Sequence, residues 1–196
     1  LKGVFKRAVI DEEDEKLVEA AVGECSRMVR LIQDLQGFNR PSSGKEVLVS
    51  LNRLIDANLM LYKSEFRKKE IRLVKQLSGN LPAVSVIPDQ IRQVVLNLLN
   101  NAVDACIDNC TILIDTQPID DKVQLTISDT GKGIHPDHIG HIFEPFFTTK
   151  KTGKGTGLGL SVCYGIIKSH NGSINVKSEF GRGTSFIIKL PAKGEL

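Results

Sequence analysis

The chain has 196 residues, 41% of them hydrophobic and 25% charged, with a formal net charge of +3. That length holds one well-cored domain with an appendage, and the balance is that of an ordinary globular protein, not a disordered or repetitive one. The net charge is too small, and its lysines and arginines too scattered, to argue for a nucleic-acid partner. No apolar run approaches the ~20 residues that cross a membrane. Leu1 is neither an initiator Met nor the start of a signal peptide, so we expect a fragment of a cytoplasmic protein, with a membrane-anchored parent left open. Cys25, Cys106, Cys110 and Cys163 lack CxxC spacing and lie in apolar or helical contexts. They read as reduced core residues, neither a disulfide frame nor a zinc site.

In chain order, a short amphipathic stub (1–10) and an acidic turn precede a long helix expected over 15–38. Leu17, Ala21, Met28, Leu31, Leu35 and Phe38 step by fours and threes, a seam that Glu24 interrupts. Such a stripe means a helical bundle or dimer seam, or a helix packed on its own domain. Asn39-Arg40-Pro41 ends it, and Ser42-Ser43-Gly44 reads as a hinge. From Val47 the pattern is α/β. VLVSL is a strand, 52–68 a helix, IRLVKQL and AVSVI strands, and 89–108 a second helix. TILIDT and VQLTISD are strands, the second delivering Asp129 at its end. A glycine-rich lid region, a helix over 160–169 and strands at SINVKS and TSFIIKL complete the chain. The expected fold is α+β: a two-layer α/β sandwich, with a mixed sheet covered by helices on one face and a helical hairpin remnant before it.

The helix over 89–108 carries the first sign of chemistry. At 100° per residue Ile91, Val94, Val95, Leu98, Ala102 and Ala105 share a face that Leu99 and Cys106 widen. Gln93, Asn97, Asn100, Asn101, Asp104 and Asp108 oppose it. Asparagine is a poor helix former, and a merely solvated face would carry Lys and Glu, which this one lacks. Asn97 and Asn101 stand one turn apart, a spacing that points two carbonyl oxygens at one ligand. A hard cation such as Mg²⁺ takes such oxygens, with phosphates and water completing its shell.

Asp129-Thr-Gly-Lys-Gly-Ile134 follows an alternating strand with Val123, Leu125 and Ile127 inward. A carboxylate there can accept the exocyclic amine of adenine, where guanine offers a carbonyl. Gly131 and Gly133 let the backbone come close to a flat base. Gly155, Gly157 and Gly159 precede a helix whose free N–H groups and dipole can meet phosphate oxygens. Lys150, Lys151 and Lys154 add positive charge, and Phe143, Phe146 and Phe147 are expected to anchor this lid. GxxxxGK[ST] does not occur, and GKGTGLG has neither the spacing nor the preceding strand of a dinucleotide fingerprint. His135, His138 and His141 have an HxxHxxH spacing. Pro136 argues against a regular helix there and no carboxylate or cysteine completes a metal set, so we read them as loop positions.

The order of the asparagine helix, DTGKGI, Phe143-Glu-Pro-Phe-Phe-Thr-Thr-Lys150 and GKGTGLGL is specific. It resembles the N, G1, F and G2 boxes of the sensor histidine kinases, in the superfamily of gyrase, Hsp90 and MutL ATPases. The resemblance covers roughly residues 47–191. It implies two parts: a partial dimerisation and histidine-phosphotransfer hairpin over 1–41, where MVRLIQDLQGFNRP resembles the second hairpin helix, and an ATP-binding catalytic domain over 45–196. It further implies a protein histidine kinase of a two-component phosphorelay, using ATP and Mg²⁺, dimeric through the hairpin and serving a response regulator receiver domain. By the resemblance Asn101 carries the metal, Asp129 meets adenine with help from Thr184 in Gly181-Arg-Gly-Thr184, and Asn97 and Asn101 form the catalytic pair. The nucleotide set is Asn101, Asp104, Asp129, Gly131, Gly133, Ile134, Lys150, Gly155, Thr156, Gly157, Leu158, Gly159, Leu160 and Thr184.

Two departures matter. The family's phosphoacceptor lies on the first hairpin helix, yet His135, His138, His141 and His170 are all far downstream. Hydrolysing relatives carry a water-activating glutamate at the position of Asn97, and an amide cannot take a proton at neutral pH. The alternatives are a gyrase- or Hsp90-like ATPase, against which Asn97 and FEPFFTTK count, and a non-catalytic nucleotide-binding module.

Overall fold

The computed structural model describes residues 44–107, 109–150 and 155–194, with scattered helical positions between Asp14 and Met28. The expected hairpin otherwise lies outside the described residues, as do Asp108, Lys151 and Lys154. Among the described residues from 44 onward, seven strands and four helices follow in order: β1 (Val47–Val49), α1 (Leu51–Lys68), β2 (Arg72–Leu77), β3 (Val84–Val86), α2 (Pro88–Ala105), β4 (Thr111–Ile119), β5 (Lys122–Asp129), α3 (Pro136–Ile139), α4 (Gly159–Ser169), β6 (Ser173–Glu179) and β7 (Gly183–Pro191).

The strands form a mixed five-stranded sheet in the order β2-β4-β5-β7-β6. β2 runs parallel to β4 and the other neighbours are antiparallel. Alternation sets which face is apolar. Ile112 and Ile114 of β4, Val123, Leu125 and Ile127 of β5, and Phe186, Ile188 and Leu190 of β7 are all buried. Helices cover that face, α1 beside β2, α2 beside β5 and β7, and α4 beside β6. The result is the two-layer sandwich expected. β1 and β3 pair antiparallel in a small second sheet, bridged to the end of β7 through Val84 and Ala192.

Helix α1 buries Leu51, Ile55, Leu59, Tyr62 and Phe66 at helical spacing, and places Arg67 and Lys68 in its last turn, where the dipole favours them. Helix α2 starts on Pro88, whose missing N–H costs nothing in a first turn. It sinks Ile91, Val94, Val95, Leu98, Leu99, Ala102 and Val103 into the core. Each fully buried Leu or Ile contributes about 1.5–3 kcal/mol, so this helix is held by packing in spite of its asparagines.

Four expectations need correction. α2 ends at Ala105, short of 108, because Cys106 is already extended (ψ 126). Cys106 and Cys110 are joined in a disulfide, with Cα atoms 5.5 Å apart, and Cys25 is exposed. Only Cys163 fits the reading of a reduced core cysteine, buried against the Val94 carbonyl. The histidine-rich stretch contains α3, which Pro136 opens instead of preventing. Phe146 is 72% exposed, so of the three phenylalanines only Phe143 and Phe147 pack on the core.

Candidate functional site

The strand period that buries Val123, Leu125 and Ile127 carries on to Asp129, leaving its carboxylate on the apolar face and 8% exposed. Burial raises its pKa, while N–H groups of Gly131 and Thr184 pull the other way. Gly131 donates to Asp129 Oδ1 at 2.9 Å. The register sets Asp129 opposite Thr184, and Thr184 opposite Ser178. The Ser178 hydroxyl accepts from the Ile134 N–H at 2.8 Å, donates to the Gly183 carbonyl and lies 2.9 Å from Thr184 Oγ1. Asp129, Gly131, Ile134 and Thr184 are thus one hydrogen-bonded unit. Ser178 belongs to it and escaped the sequence reading, because only the β6–β7 register reveals it.

The end of α2 clamps this turn. The Ala105 carbonyl accepts from the Lys132 N–H at 3.1 Å, and Gly131 lies so close to that carbonyl that a Cβ would collide with it. On the other side Thr130 Oγ1 accepts from the Thr111 N–H and donates to Cys110 Sγ at 3.6 Å. The disulfide therefore links the two supports of the Asp129 turn.

Along α2 the asparagines part company. Asn97 donates to the Gly159 carbonyl at 3.2 Å, Asn100 accepts from the Tyr62 hydroxyl at 2.7 Å, and Asn101 accepts from the Lys150 ammonium at 3.2 Å. Asn97 and Asn101 do not share a partner here, and Asn100 is occupied in tying α1 to α2. Burial, helped by Asp104 and Glu65, pushes the Tyr62 pKa up to about 12, so its hydroxyl remains a donor. Lys150 also pairs with Asp104 Oδ2 at 2.7 Å. A carbonyl and a carboxylate oxygen already gathered about an ammonium are donors of the kind a hard cation takes, so this pair fits Mg²⁺.

Helix α4 starts at Gly159 with no side chain capping it, so its first N–H groups are open to an anion. Asn97 fixes that end against α2. Gly157 (φ 69) lies flush against the backbone of Phe146, itself at φ 68, a conformation that costs a bulky residue of order 1–3 kcal/mol. Leu158 is buried beneath the loop, and the Leu158 N–H donates to Thr156 Oγ1. His170 is 4% exposed; its Nδ1 donates to the Ile166 carbonyl, and its Nε2 accepts from the Ile87 N–H at 3.0 Å, so it caps the entry to α2.

A buried carboxylate at Asp129, oxygen donors on α2 and an uncapped helix end after a glycine loop are the features of a nucleotide-binding α/β sandwich. Residues 86–194 match the family described as histidine kinase-, DNA gyrase B- and HSP90-like ATPase, and the chain belongs to that family. Within it, this is the ATP-binding catalytic domain of a histidine kinase. The chain is 34% identical to the sensor histidine kinase ZraS of Escherichia coli (strain K12) over 195 residues, 97% of this chain and 42% of that protein. It spans less than half the length of the curated relatives it matches. Among solved structures, the catalytic domain of the histidine kinase ThkA has a TM-score of 0.69 at 33% identity, covering 76% of this chain and 96% of that one. ThkA in complex with the response regulator protein TrrA gives 0.78 at 27%, covering 96% and 54%. Full-length ShkA in complex with AMPPNP gives 0.79 at 25%, covering 94% and 40%.

Proposed function

We propose that the chain is the catalytic part of a two-component sensor histidine kinase, which binds Mg-ATP and passes the γ-phosphate to a histidine on a helical hairpin. The observation that carries this reading is the meeting, along one helix, of the buried Asp129 turn and the open N-terminus of α4. Asp129 accepts the adenine amine, with Gly131, Gly133, Ile134 and Thr184 enclosing the base. Asn101 and Asp104 hold Mg²⁺, which when bound neutralises charge on the phosphates. Lys150 and the stretch Gly155, Thr156, Gly157, Leu158, Gly159 and Leu160 receive the phosphate chain. Asn97 spends its N–H on Gly159 and has no base to offer water, which favours transfer over hydrolysis. The AMPPNP bound to ShkA and the regulator bound to ThkA support ATP as donor and a receiver domain as onward partner. We assign residues 1–41 to the dimerising hairpin, 45–196 to the catalytic domain, and the whole to the cytoplasm.

Calorimetric titration of the folded chain with Mg-ATP, followed by γ-³²P-ATP labelling with and without a separate intact hairpin, tests this. The expected result is binding, transfer to the hairpin histidine and no label on the chain itself. Absence of heat sinks the nucleotide reading. Rapid phosphate release without transfer favours the gyrase-like alternative.

A further inference from the structure

Lys150 reaches from the lid segment to α2, where its ammonium contacts Asn101 Oδ1 at 3.2 Å and Asp104 Oδ2 at 2.7 Å. These are the oxygens that the proposed function gives to the metal, and the inference rests on that reading. Two cations therefore claim one pair of donors. A divalent ion held at about 2.1 Å leaves no room for an ammonium on the same lone pairs, and two positive charges so close repel each other. Lys150 is also coupled to the phosphate loop. At Gly155 a Cβ would come within 2.8 Å of Thr148 Oγ1 and 3.1 Å of Lys150 Cδ, so the missing side chain is what lets the lysine stem lie there. The Lys150 N–H in turn donates to Thr148 Oγ1 at 3.2 Å. The Lys150 side chain is 31% exposed and that of Asp104 45%, so the pair can open without breaking the core.

We propose that Lys150 is the resident cation of the metal site. Without nucleotide its ammonium holds Asn101 and Asp104 together and keeps a free divalent ion out. A nucleotide draws that ammonium onto its phosphates, which frees both oxygens for the metal carried in with it. Metal entry is thereby tied to displacement of the Lys150 side chain, and the metal alone competes poorly.

The test uses Mn²⁺ without nucleotide, followed by paramagnetic resonance on the whole chain, in the parent, K150M, K150R and the K150M/D104N double variant. K150M keeps the stem and loses the charge. It should bind Mn²⁺ about fivefold more tightly than the parent, the factor that corresponds to the upper range for a part-exposed ion pair. K150R should stay near the parent, and D104N should cancel the gain. Titration of the same proteins with Mg-ATP should show K150M several-fold weaker than the parent. Mn²⁺ affinity in K150M equal to or below that of the parent overturns the proposal. If no variant binds Mg-ATP, the nucleotide reading fails instead, and the Mn²⁺ comparison still decides the role of Lys150.

Discussion

Asp129 shows what a functional side chain costs its own fold. Burial raises its pKa in the folded chain, so the protonated form is the one the fold prefers. Stability that is fully present below the unfolded pKa is then lost as pH rises through the folded value. Ionisation of this carboxylate therefore burdens the fold. Asp129→Asn keeps an acceptor for the Gly131 and Thr184 N–H groups but has no charge to bury. The variant should melt higher than the parent at pH 7, with the gap closing as pH falls into the carboxylate range. Its ATP binding should weaken by about 1.5–3 kcal/mol, the size of a charge-assisted hydrogen bond. Thermal melts across pH, paired with nucleotide titration, check both halves; a variant that melts no higher than the parent at pH 7 refutes the burial argument. Period-two alternation placed Val123, Leu125 and Ile127 inward, and the same period carried two residues further accounts for the burial of Asp129. The asparagine partners were not legible, because helical spacing assigns a face and says nothing of what other elements bring to it. Gly159, Tyr62 and Lys150 arrive from positions 38 to 62 residues away in the sequence.

At the scale of elements, strands with strict alternation and helices with long apolar stripes were readable to within a few residues. What escaped were features decided by chain ends and short loops. The backbone is extended at Cys106, which stops α2, and Asn109 adopts φ 53 just before β4. The Cys106–Cys110 bridge closes only that short loop, for which loop-closure entropy gives about 2 kcal/mol. Reduction should therefore lower the melting temperature by about 4–8 °C in a chain of this size. The double variant Cys106→Ser/Cys110→Ser should melt at one temperature with or without reductant. Alkylation of the unreduced, unfolded protein that modifies all four cysteines would show that the bridge does not form in solution.

Across the whole molecule the sheet serves as a platform whose apolar face is roofed by α1, α2 and α4, and the candidate site occupies the rim where α2, α4 and the β5 end meet. A ligand that binds only this folded rim must stabilise the entire domain by mass action, about 2.7 kcal/mol at a hundredfold excess over its dissociation constant. Mg-ATP should accordingly raise the melting temperature in proportion to the logarithm of its concentration, and GTP should do so far less, since Asp129 finds no amine at guanine's corresponding position. Equal stabilisation by the two nucleotides would remove Asp129 from base recognition.

One consequence follows from the position of Ala105. Its carbonyl fixes the turn that carries Asp129, and Asn101 stands four residues before it on the same rigid helix. Four residues amount to about 6 Å along the axis. Helix α2 is therefore a gauge, with the base read at one graduation and the phosphate end at another. Substitutions inside the helix cannot lengthen one reach without shifting the other, so a changed preference for base must come from the β5–β6–β7 side, and a changed preference for phosphate number from the lid.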